Sequence, residues 1–421
     1  MEKIAETTFD TGSSTVVEKC QVCESPELEP ILFLGYLPPV NKMHPIGQKP
    51  HEQQSYPAQL LYCPRCHLVQ LGLIVDAKIL FPSEYPYTSS TTKILRDNFA
   101  GLYQECRTIL DLGSDDLVID IGSNDGNLLA NFQENHRVLG VTPEEIGNIA
   151  IKRGIPTIID YFNQGVIERI LTEHGQAKIV TATNVFAHIE NVDEVVKGIL
   201  EVLKSDGVFI SESHYLLSLE ETLQYDTIYH EHLRYYSLHS LKYLLEMHGL
   251  EIVHARRIPT HGGSIRVYAA RNGVYPVKET VDEMLEAEKG KMLSVEAFLE
   301  FKERVILSKL QLLDLLCEIK KQGHRVYGIS APSRASTLIN YVGLDDGIID
   351  YVLEIEGSHK IGKYVPGTLI PVVEESRLFE DQPEYALILS WHIADELMPK
   401  LTQKGFRGKY IVPLPEPKVL A

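Results

Sequence analysis

The sequence predicts an α/β protein with three parts: a small metal-binding lobe, a doubly wound parallel-sheet domain and a second α/β unit. Two C-x-x-C pairs stand near the N-terminus, and apolar strand segments alternate with helical segments between 117 and 213. A second alternation runs from 324 onwards. Strands that alternate with helices are typical of parallel sheets, and 421 residues suffice for about two or three domains.

Composition excludes several classes of protein. The hydrophobic fraction of 44% and the charged fraction of 23% are ordinary for a globular chain. No apolar run approaches the ~18 residues of a spanning helix, and the first ten residues lack the apolar core of a signal peptide. Forty basic against 58 acidic residues give a net charge of −18, which argues against general nucleic-acid binding. We therefore expect a cytoplasmic protein with neither nucleic-acid nor membrane partners.

Four of the six cysteines form the two C-x-x-C pairs, namely Cys20 with Cys23 and Cys63 with Cys66. Two such turns together supply the four sulfur ligands of a tetrahedral zinc site. A redox pair or two disulfides are the alternatives, and a cytosolic chain disfavours disulfides. Because four thiolates leave no open coordination position, the zinc is expected to be structural.

The predicted elements follow in order. Residues 1–78 form the loop-rich metal lobe, 81–92 a polar aromatic linker, and about 95–112 a helix. The strands of the central domain are predicted at 117–122, 137–141, 177–183 and 208–213, with helices between them, one of which is GNLLANF, and an antiparallel edge pair at 251–258 and 264–271.

A charged helical stretch at 276–322 marks the boundary to the second α/β unit. Strands are predicted there at 324–330, 348–355 and 385–391, followed by the helix IADELMPKLTQKG and the strand KYIVPL. The domains are accordingly predicted at 1–78, 79–275 and 276–421.

A glycine-rich turn follows the first central strand, with Gly122 after the strand and Gly126 at the start of a predicted helix. Glycines let the backbone approach a ligand closely, and a helix N-terminus favours an anionic group. The spacing is not G-x-G-x-x-G, so NAD is less favoured; D-x-G-x-x-x-G resembles motif I of class I methyltransferases that use S-adenosyl-L-methionine (SAM). A plain tight turn is the alternative.

Thr142 follows the second predicted strand, at the position where an acidic residue usually binds the ribose of the cofactor.

A histidine-rich run, YDTIYHEHLRYYSL at 225–238, contains His230, Glu231 and His232. H-E-H lacks the i,i+4 spacing of a zinc-binding helix, so an acid/base role fits better, with a tyrosine hydroxyl as oxyanion donor. A polar surface loop is the alternative. Asn184 and His188 follow the strand 177–183, at the strand edge where ligands bind in open α/β sheets.

These patterns together resemble the deoxysugar C-methyltransferase family, which acts on nucleotide-linked keto sugars. The resemblance covers nearly the whole chain. Besides the cysteine lobe, it is carried by Y-x-Y-x-S-S at 85–90, D-I-G-S-N-D-G at 120–126, D-Y-F at 160–162, N-V-F-A-H at 184–188, I-Y-H-E-H at 228–232, H-G-G-S-I-R at 261–266 and K-Y-V-P-G-T at 363–368.

The resemblance implies a zinc-binding N-terminal lobe, a central class I SAM-methyltransferase (Rossmann-like) domain and a C-terminal second Rossmann-like domain that helps to hold the sugar nucleotide. It also implies deprotonation next to a sugar ketone by His232 and attack of the enolate on the SAM methyl. The implied catalytic residues are His232, Glu231, Tyr229, His188, Asn184 and one of the two tyrosines Tyr87 and Tyr85. The cofactor-binding candidates are Asp120, Gly122, Ser123, Asn124, Asp125, Gly126, Asp160, Tyr161 and Phe162, together with Thr142, which departs from the family pattern by replacing the acidic ribose residue.

The substrate-binding candidates are His261, Arg266, Ser333, Arg334, Ser336, Lys363, Trp391 and His392. Arg334 is expected to take the pyrophosphate in the loop GISAPSRASTLI, aided by the adjacent serines and the helix N-terminus. A monomer or homodimer is expected. Two other functions compete: an epimerase or isomerase that uses the same base without methyl transfer, favoured by Thr142, and a non-catalytic nucleotide-sugar binder, which would not need the histidine cluster.

Overall fold

The computed structural model describes residues 14–47, 53–81 and 93–421. In these ranges the strands are β1 (Thr15–Val16), β2 (Glu29–Leu37), β3 (His44–Pro45), β4 (Tyr56–Tyr62), β5 (Val69–Leu71), β6 (Leu73–Ile74), β7 (Leu117–Ile121), β8 (Arg137–Thr142), β9 (Thr157–Ile159), β10 (Ala177–Thr183), β11 (Leu203–His214), β12 (Arg234–Tyr235), β13 (Leu250–Ile258), β14 (Ser264–Arg271), β15 (Val326–Ile329), β16 (Tyr351–Glu354), β17 (Lys363–Tyr364), β18 (Val372–Glu374), β19 (Tyr385–Ile388), β20 (Lys409–Val412) and β21 (Lys418–Leu420).

The α-helices of the described ranges are α1 (Ala77–Leu80), α2 (Lys93–Ile109), α3 (Gly147–Lys152), α4 (Gln164–Glu173), α5 (Val192–Val202), α6 (Leu216–Glu221), α7 (Leu238–Glu246), α8 (Glu279–Glu288), α9 (Val295–Lys321), α10 (Ser333–Val342), α11 (Ser376–Asp381) and α12 (Ala394–Gln403). None of these helices is long and apolar enough to cross a membrane.

The central sheet has the strand order β13-β14-β11-β10-β7-β8-β9. Strands β11, β10, β7, β8 and β9 are parallel, whereas β14 runs antiparallel between β11 and β13. Helices cover both faces, which explains why β7 is buried along its whole length. The predicted class I Rossmann-like sheet with its antiparallel edge pair is therefore confirmed.

The C-terminal part forms a second sheet of order β18-β16-β15-β19-β20-β21, parallel except for β21. The second Rossmann-like unit is therefore confirmed.

The N-terminal lobe has a sheet of order β12-β5-β4-β2. Its edge strand β12 comes from the central part of the chain, and β17 of the C-terminal part pairs with β3 of the lobe. The three parts are thus joined by shared sheets.

The helix predicted for GNLLANF is wrong. This segment contains only a short 3₁₀ turn at Leu129–Asn131. The side chain of Asn131 donates to the backbone carbonyls of Asn127 and Leu128 at 3.0 and 3.1 Å, and such local side-chain bonds compete with continued helix. The helix N-terminus expected after Gly126 is therefore absent from this part of the described chain, and ligand contacts at the turn must come from its backbone and polar side chains.

Candidate functional site

The four cysteine sulfurs lie within 4.8 Å of one another and are all buried. Cys20 Sγ is 3.4 Å from Cys66 Sγ, and Cys23 Sγ is 3.5 Å from Cys63 Sγ. Each pair sits on a tight turn, in which the backbone amide of Cys20 donates to the Ser25 carbonyl and that of Cys63 to the Leu68 carbonyl. Four convergent thiols without disulfides match a tetrahedral zinc site with no open position.

The parallel strands bring the candidate catalytic residues to one edge of the central sheet. Asn184 and His188 follow β10, and His214 ends β11. Because β14 begins opposite the end of β11, with Ser264 paired to His214, the β13–β14 turn that carries His261 lies at the same edge. The sequence correctly placed Asn184 and His188 beside this edge but did not single out His214.

Two backbone carbonyls orient the rings of His232 and His188. His232 Nδ1 is 2.9 Å from the Thr227 carbonyl, and His188 Nδ1 is 2.7 Å from the Glu231 carbonyl. Since a carbonyl oxygen only accepts, the proton of each neutral ring is on Nδ1, and the lone pair is on Nε2. Each ring therefore offers a proton acceptor at Nε2.

His232 lies in a cluster of aromatic rings. Its ring centroid is 4.2 Å from that of Tyr229, 5.0 Å from His188 and 5.4 Å from His214. His214 in turn lies 5.5 Å from His261. The structure therefore brings together four of the predicted residues and adds His214. His214 was visible in the segment SESHYLL at the end of a predicted strand, but it belongs to none of the motifs from which the site was predicted.

The Glu231 carboxylate does not make the Nδ1 hydrogen bond of His232. Glu231 Oε1 accepts from the Asn41 side chain of the N-terminal lobe at 2.7 Å, and Ser333 donates to Asn41 Oδ1 at 3.1 Å. Glu231 thus joins the catalytic segment to the other two parts of the chain, and the Thr227 carbonyl takes the ring-orienting role. Tyr85 and Tyr87 lie outside the described residues.

The glycine turn has the shape of a backbone cradle. Gly122 has φ +76°, and a Cβ there would lie 2.4 Å from Val185 Cγ2. Gly126 has φ +79°, and its Cβ would lie 2.8 Å from Ile155 Cδ1. Between them, the buried Ser123 hydroxyl has no hydrogen-bond partner in the described part of the chain. Constrained glycines with an unsatisfied hydroxyl fit a bound polar cofactor.

The remaining cofactor candidates divide into two groups. Asp120 is buried and accepts from Thr181 at 2.6 Å, and burial raises the pKa of Asp120 to about 7. Asp125 is paired with Arg153 at 3.1 Å. Asp160 and Tyr161 are exposed after β9, Asn124 and Phe162 are partly buried, and Thr142 is buried at the end of β8. Thr142 packs against Gly147, and Phe162 packs against Gly198.

Arg266 is already paired, which argues against its predicted anion-binding role. The buried guanidinium donates from Nε to Glu212 at 2.6 Å and from Nη1 to Glu105 at 2.7 Å. It also donates to the Asn98 side chain at 2.8 Å. With two carboxylates on one guanidinium, no positive charge remains for a substrate phosphate, so Arg266 fastens α2 to the sheet.

Arg334 is likewise paired and does not stand free for a pyrophosphate. It forms a two-pronged pair with Asp226, both contacts being 2.7 Å, and it stacks over Trp391, whose indole also donates to Asp226 at 2.8 Å. Arg334 Nη1 lies 3.2 Å from His392 Nδ1. The buried network ties α10 and Trp391, which follows β19, to the turn at Tyr225–Thr227. Ser336 is buried on α10, and Lys363 lies in β17.

Burial keeps these histidines neutral. It lowers the pKa of His232 and His392 to about 3 and that of His230 and His261 to about 4. Burial is the largest cause in each case, and the neighbouring charges of Arg334 and other histidines add to it for His232, His261 and His392. A neutral imidazole at physiological pH is the form that can accept a proton.

A pH dependence of stability follows from these shifts. The unfolded chain takes up protons near the ordinary histidine pKa of about 6.5, whereas the folded cluster does so only near 3–4. The contribution of these histidines to the free energy of unfolding is therefore fully present above about pH 6.5 and is lost as the pH falls towards 4, by up to about 1.4 kcal/mol per pH unit for each such histidine.

Denaturant unfolding between pH 5 and 8 checks this pH dependence. His392→Gln should make the slope shallower, whereas His174→Gln, outside the cluster, should leave it unchanged; a slope of opposite sign would contradict the assignment.

Three family models match consecutive parts of the chain. "Putative zinc binding domain" matches residues 20–81, "Methyltransferase domain" residues 95–255 and "C-methyltransferase C-terminal domain" residues 259–415. The C-methyltransferase NovU of Streptomyces niveus is 33% identical over 412 residues, covering 96% of this chain and 97% of NovU.

Solved structures with similar sheets include the magnesium protoporphyrin IX methyltransferase ChlM of Synechocystis PCC 6803 with bound SAH. That structure is 15% identical and has a TM-score of 0.35, covering 42% of this chain and 83% of its own. The YcgJ protein of Bacillus subtilis is 14% identical with a TM-score of 0.33, covering 42% and 100%.

The chain that contains the histidine site, the glycine turn and the thiol cluster is thus similar over nearly its whole length to a C-methyltransferase. The chain belongs to the C-methyltransferase family, as a SAM-dependent enzyme with a zinc-binding N-terminal lobe.

Proposed function

We propose that this methyltransferase methylates the carbon next to the ketone of a nucleotide-linked keto-deoxysugar, with His232 as the general base. The orientation of His232 carries this proposal. Its Nδ1–H is held by the Thr227 carbonyl, and its Nε2 lone pair is therefore available beside Tyr229 and His188. A base that is neutral, oriented and buried is suited to removing a weakly acidic C–H proton.

In the proposed mechanism, Nε2 of His232 takes the proton from the carbon next to the ketone. The C–H electron pair becomes the enolate, and the enolate carbon then forms the new C–C bond. Tyr229 and Asn184 line the same edge and donate to the enolate oxygen, which lowers the barrier to deprotonation. SAM, when bound, would supply the methyl group and leave as SAH, with the electron pair of the broken S–CH3 bond kept on sulfur, and the Gly122–Gly126 turn would hold the cofactor.

The sugar nucleotide is assigned to the junction between the start of α10 and the catalytic segment, which Asn41 and Asp226 bridge. Since Arg266 and Arg334 are both paired, we assign the diphosphate to the remaining polar groups of the C-terminal edge. These are Ser333 and Ser336 on α10, Lys363, and Lys360, which the sequence did not single out. Lys360 donates to the Ala331 carbonyl and lies near enough to Glu231 to interact with its charge. It therefore stands between α10 and the catalytic segment.

Isotope labelling tests the function. The protein is incubated with ¹³C-methyl SAM and thymidine-diphosphate 4-keto-6-deoxyglucose in deuterated water, and the sugar is analysed by mass spectrometry and NMR. We expect one labelled methyl on a carbon next to the ketone. A methyl on oxygen, or no methyl with any keto-sugar nucleotide tried, would overturn the proposal. Deuterium uptake without methyl transfer would favour the epimerase, which family membership disfavours.

A further inference from the structure

The orientation of His188 and His232 removes His188 from the groups that could donate a hydrogen bond to the enolate oxygen. His188 and His232 both direct Nδ1–H to backbone carbonyls, so their neutral rings present only Nε2 lone pairs. A lone pair cannot stabilise an enolate oxygen, which needs hydrogen-bond donors. His188, implied by the resemblance as an enolate-stabilising group, is therefore a proton acceptor in its neutral form.

His214 is placed to supply a donor in addition to Tyr229 and Asn184. It is the last residue of β11, and its ring lies 5.4 Å from that of His232 and 5.5 Å from that of His261. The side chain is partly exposed at the sheet edge. In the part of the chain that the structure describes, no carbonyl or carboxylate holds either ring nitrogen, in contrast to His188 and His232. Its ring is therefore free to present an N–H to a ligand.

A metal role for the histidine cluster is not supported. Among residues 14–47, 53–81 and 93–421, the four cysteines are the one group whose ligand atoms converge closely enough for a metal ion. The cluster also lacks a free carboxylate, because Asp226 is held by Arg334 and Trp391. Acid/base and hydrogen-bond chemistry is what these rings can supply.

We propose that His214 is a further catalytic residue, which donates an N–H hydrogen bond to the ketone oxygen of the substrate while His232 removes the neighbouring proton. This inference rests on the proposed function. As the C–H bond breaks, its proton goes to His232 Nε2 and its electron pair moves into the enolate, whose oxygen gains charge against the His214 N–H. Neutral imidazoles polarise substrate carbonyls by hydrogen bonding in other enzymes. The rings of His232 and His214 are neighbours, as are the proton to be removed and the ketone oxygen of the substrate.

Two substitutions at His214 separate donation from other roles. His214→Leu removes the N–H but retains bulk, and it should lower kcat for methyl transfer to thymidine-diphosphate 4-keto-6-deoxyglucose by about 10²-fold, with KM changed less than kcat. His214→Gln retains an N–H donor and should recover at least tenfold of that loss. His174→Gln at the end of α4 is the control, and thermal unfolding confirms that each variant is folded.

Enolisation is measured apart from methyl transfer, by loss of an α-deuteron from the same sugar in the presence of SAH. We expect His214→Leu to slow this exchange as strongly as it slows methylation. Wild-type kcat in His214→Leu would overturn the His214 assignment and leave the proposed function standing. A Gln variant as slow as Leu would overturn the donor role. If the wild-type enzyme methylates no keto-sugar nucleotide, the proposed function fails first, and the His214 assignment fails with it.

Discussion

Replacing His232 with alanine should lower kcat for methyl transfer by about 10³-fold, within the range of 10²–10⁴ that a general base contributes. The expected cause is loss of the Nε2 lone pair that the Thr227 carbonyl fixes in place. The binding of SAM should survive, since the glycine turn belongs to β7 and its neighbours rather than to the histidine segment. Methyl incorporation by mass spectrometry and calorimetric titration of SAM measure the two quantities.

His230 offers a matched control two residues away. Its Nε2 lies 3.2 Å from the Pro57 carbonyl of the N-terminal lobe, outside the ring cluster around His232. Glutamine retains an N–H for that carbonyl, so His230→Gln should keep kcat within about threefold of wild type. Full activity in His232→Ala, or an equal loss in His230→Gln, would show that His232 is not the base.

Removing the zinc should abolish activity as well as destabilise the N-terminal lobe. Structural zinc contributes about 10–16 kcal/mol of binding free energy, which becomes folding free energy for its lobe. The link to activity is β5, which follows the second cysteine turn and pairs with β12, with Val69 opposite Tyr235. Since β12 begins two residues after His232, a disordered lobe releases the segment that positions the base.

Chelation followed by hydrogen exchange and activity assays checks this coupling. Residues 56–71 should lose protection together with methyl transfer, and both should return when zinc is restored. Cys66→Ser should reproduce the loss, whereas Cys317→Ser, an exposed cysteine on α9, should not. A metal-free protein with wild-type kcat would show that the lobe does not position the catalytic segment.

Strand positions were predictable because buried parallel strands are continuous apolar runs. The predicted strand at 177–183 matches β10, and the antiparallel pair at 251–258 and 264–271 matches β13 and β14 to within one residue. The helix at GNLLANF failed because the Asn131 side chain bonds locally to the backbone, which no apolar pattern reveals.

The charged residues show why a candidate site is harder to predict than a strand. Arg266 and Arg334 each stand in a motif suited to anion binding, yet each is neutralised by carboxylates distant in sequence, Glu105, Glu212 and Asp226. A sequence shows that a cation is present, but only the fold shows which partners already surround it. His214 was missed for the same reason, since its importance lies in its neighbours.

The thiol cluster, the two α/β units, the glycine turn and the edge that carries Asn184 and His188 follow from the amino-acid order alone, because each depends on local spacing or on the common direction of parallel strands. Three features required the folded chain: the ring nitrogen that His232 presents, the hydrogen bond from Asn41 to Glu231, and the pairing of Arg266 and Arg334 with carboxylates. Those features depend on the distances between residues far apart in the chain, and hydrogen bonds and ion pairs form only at close contact.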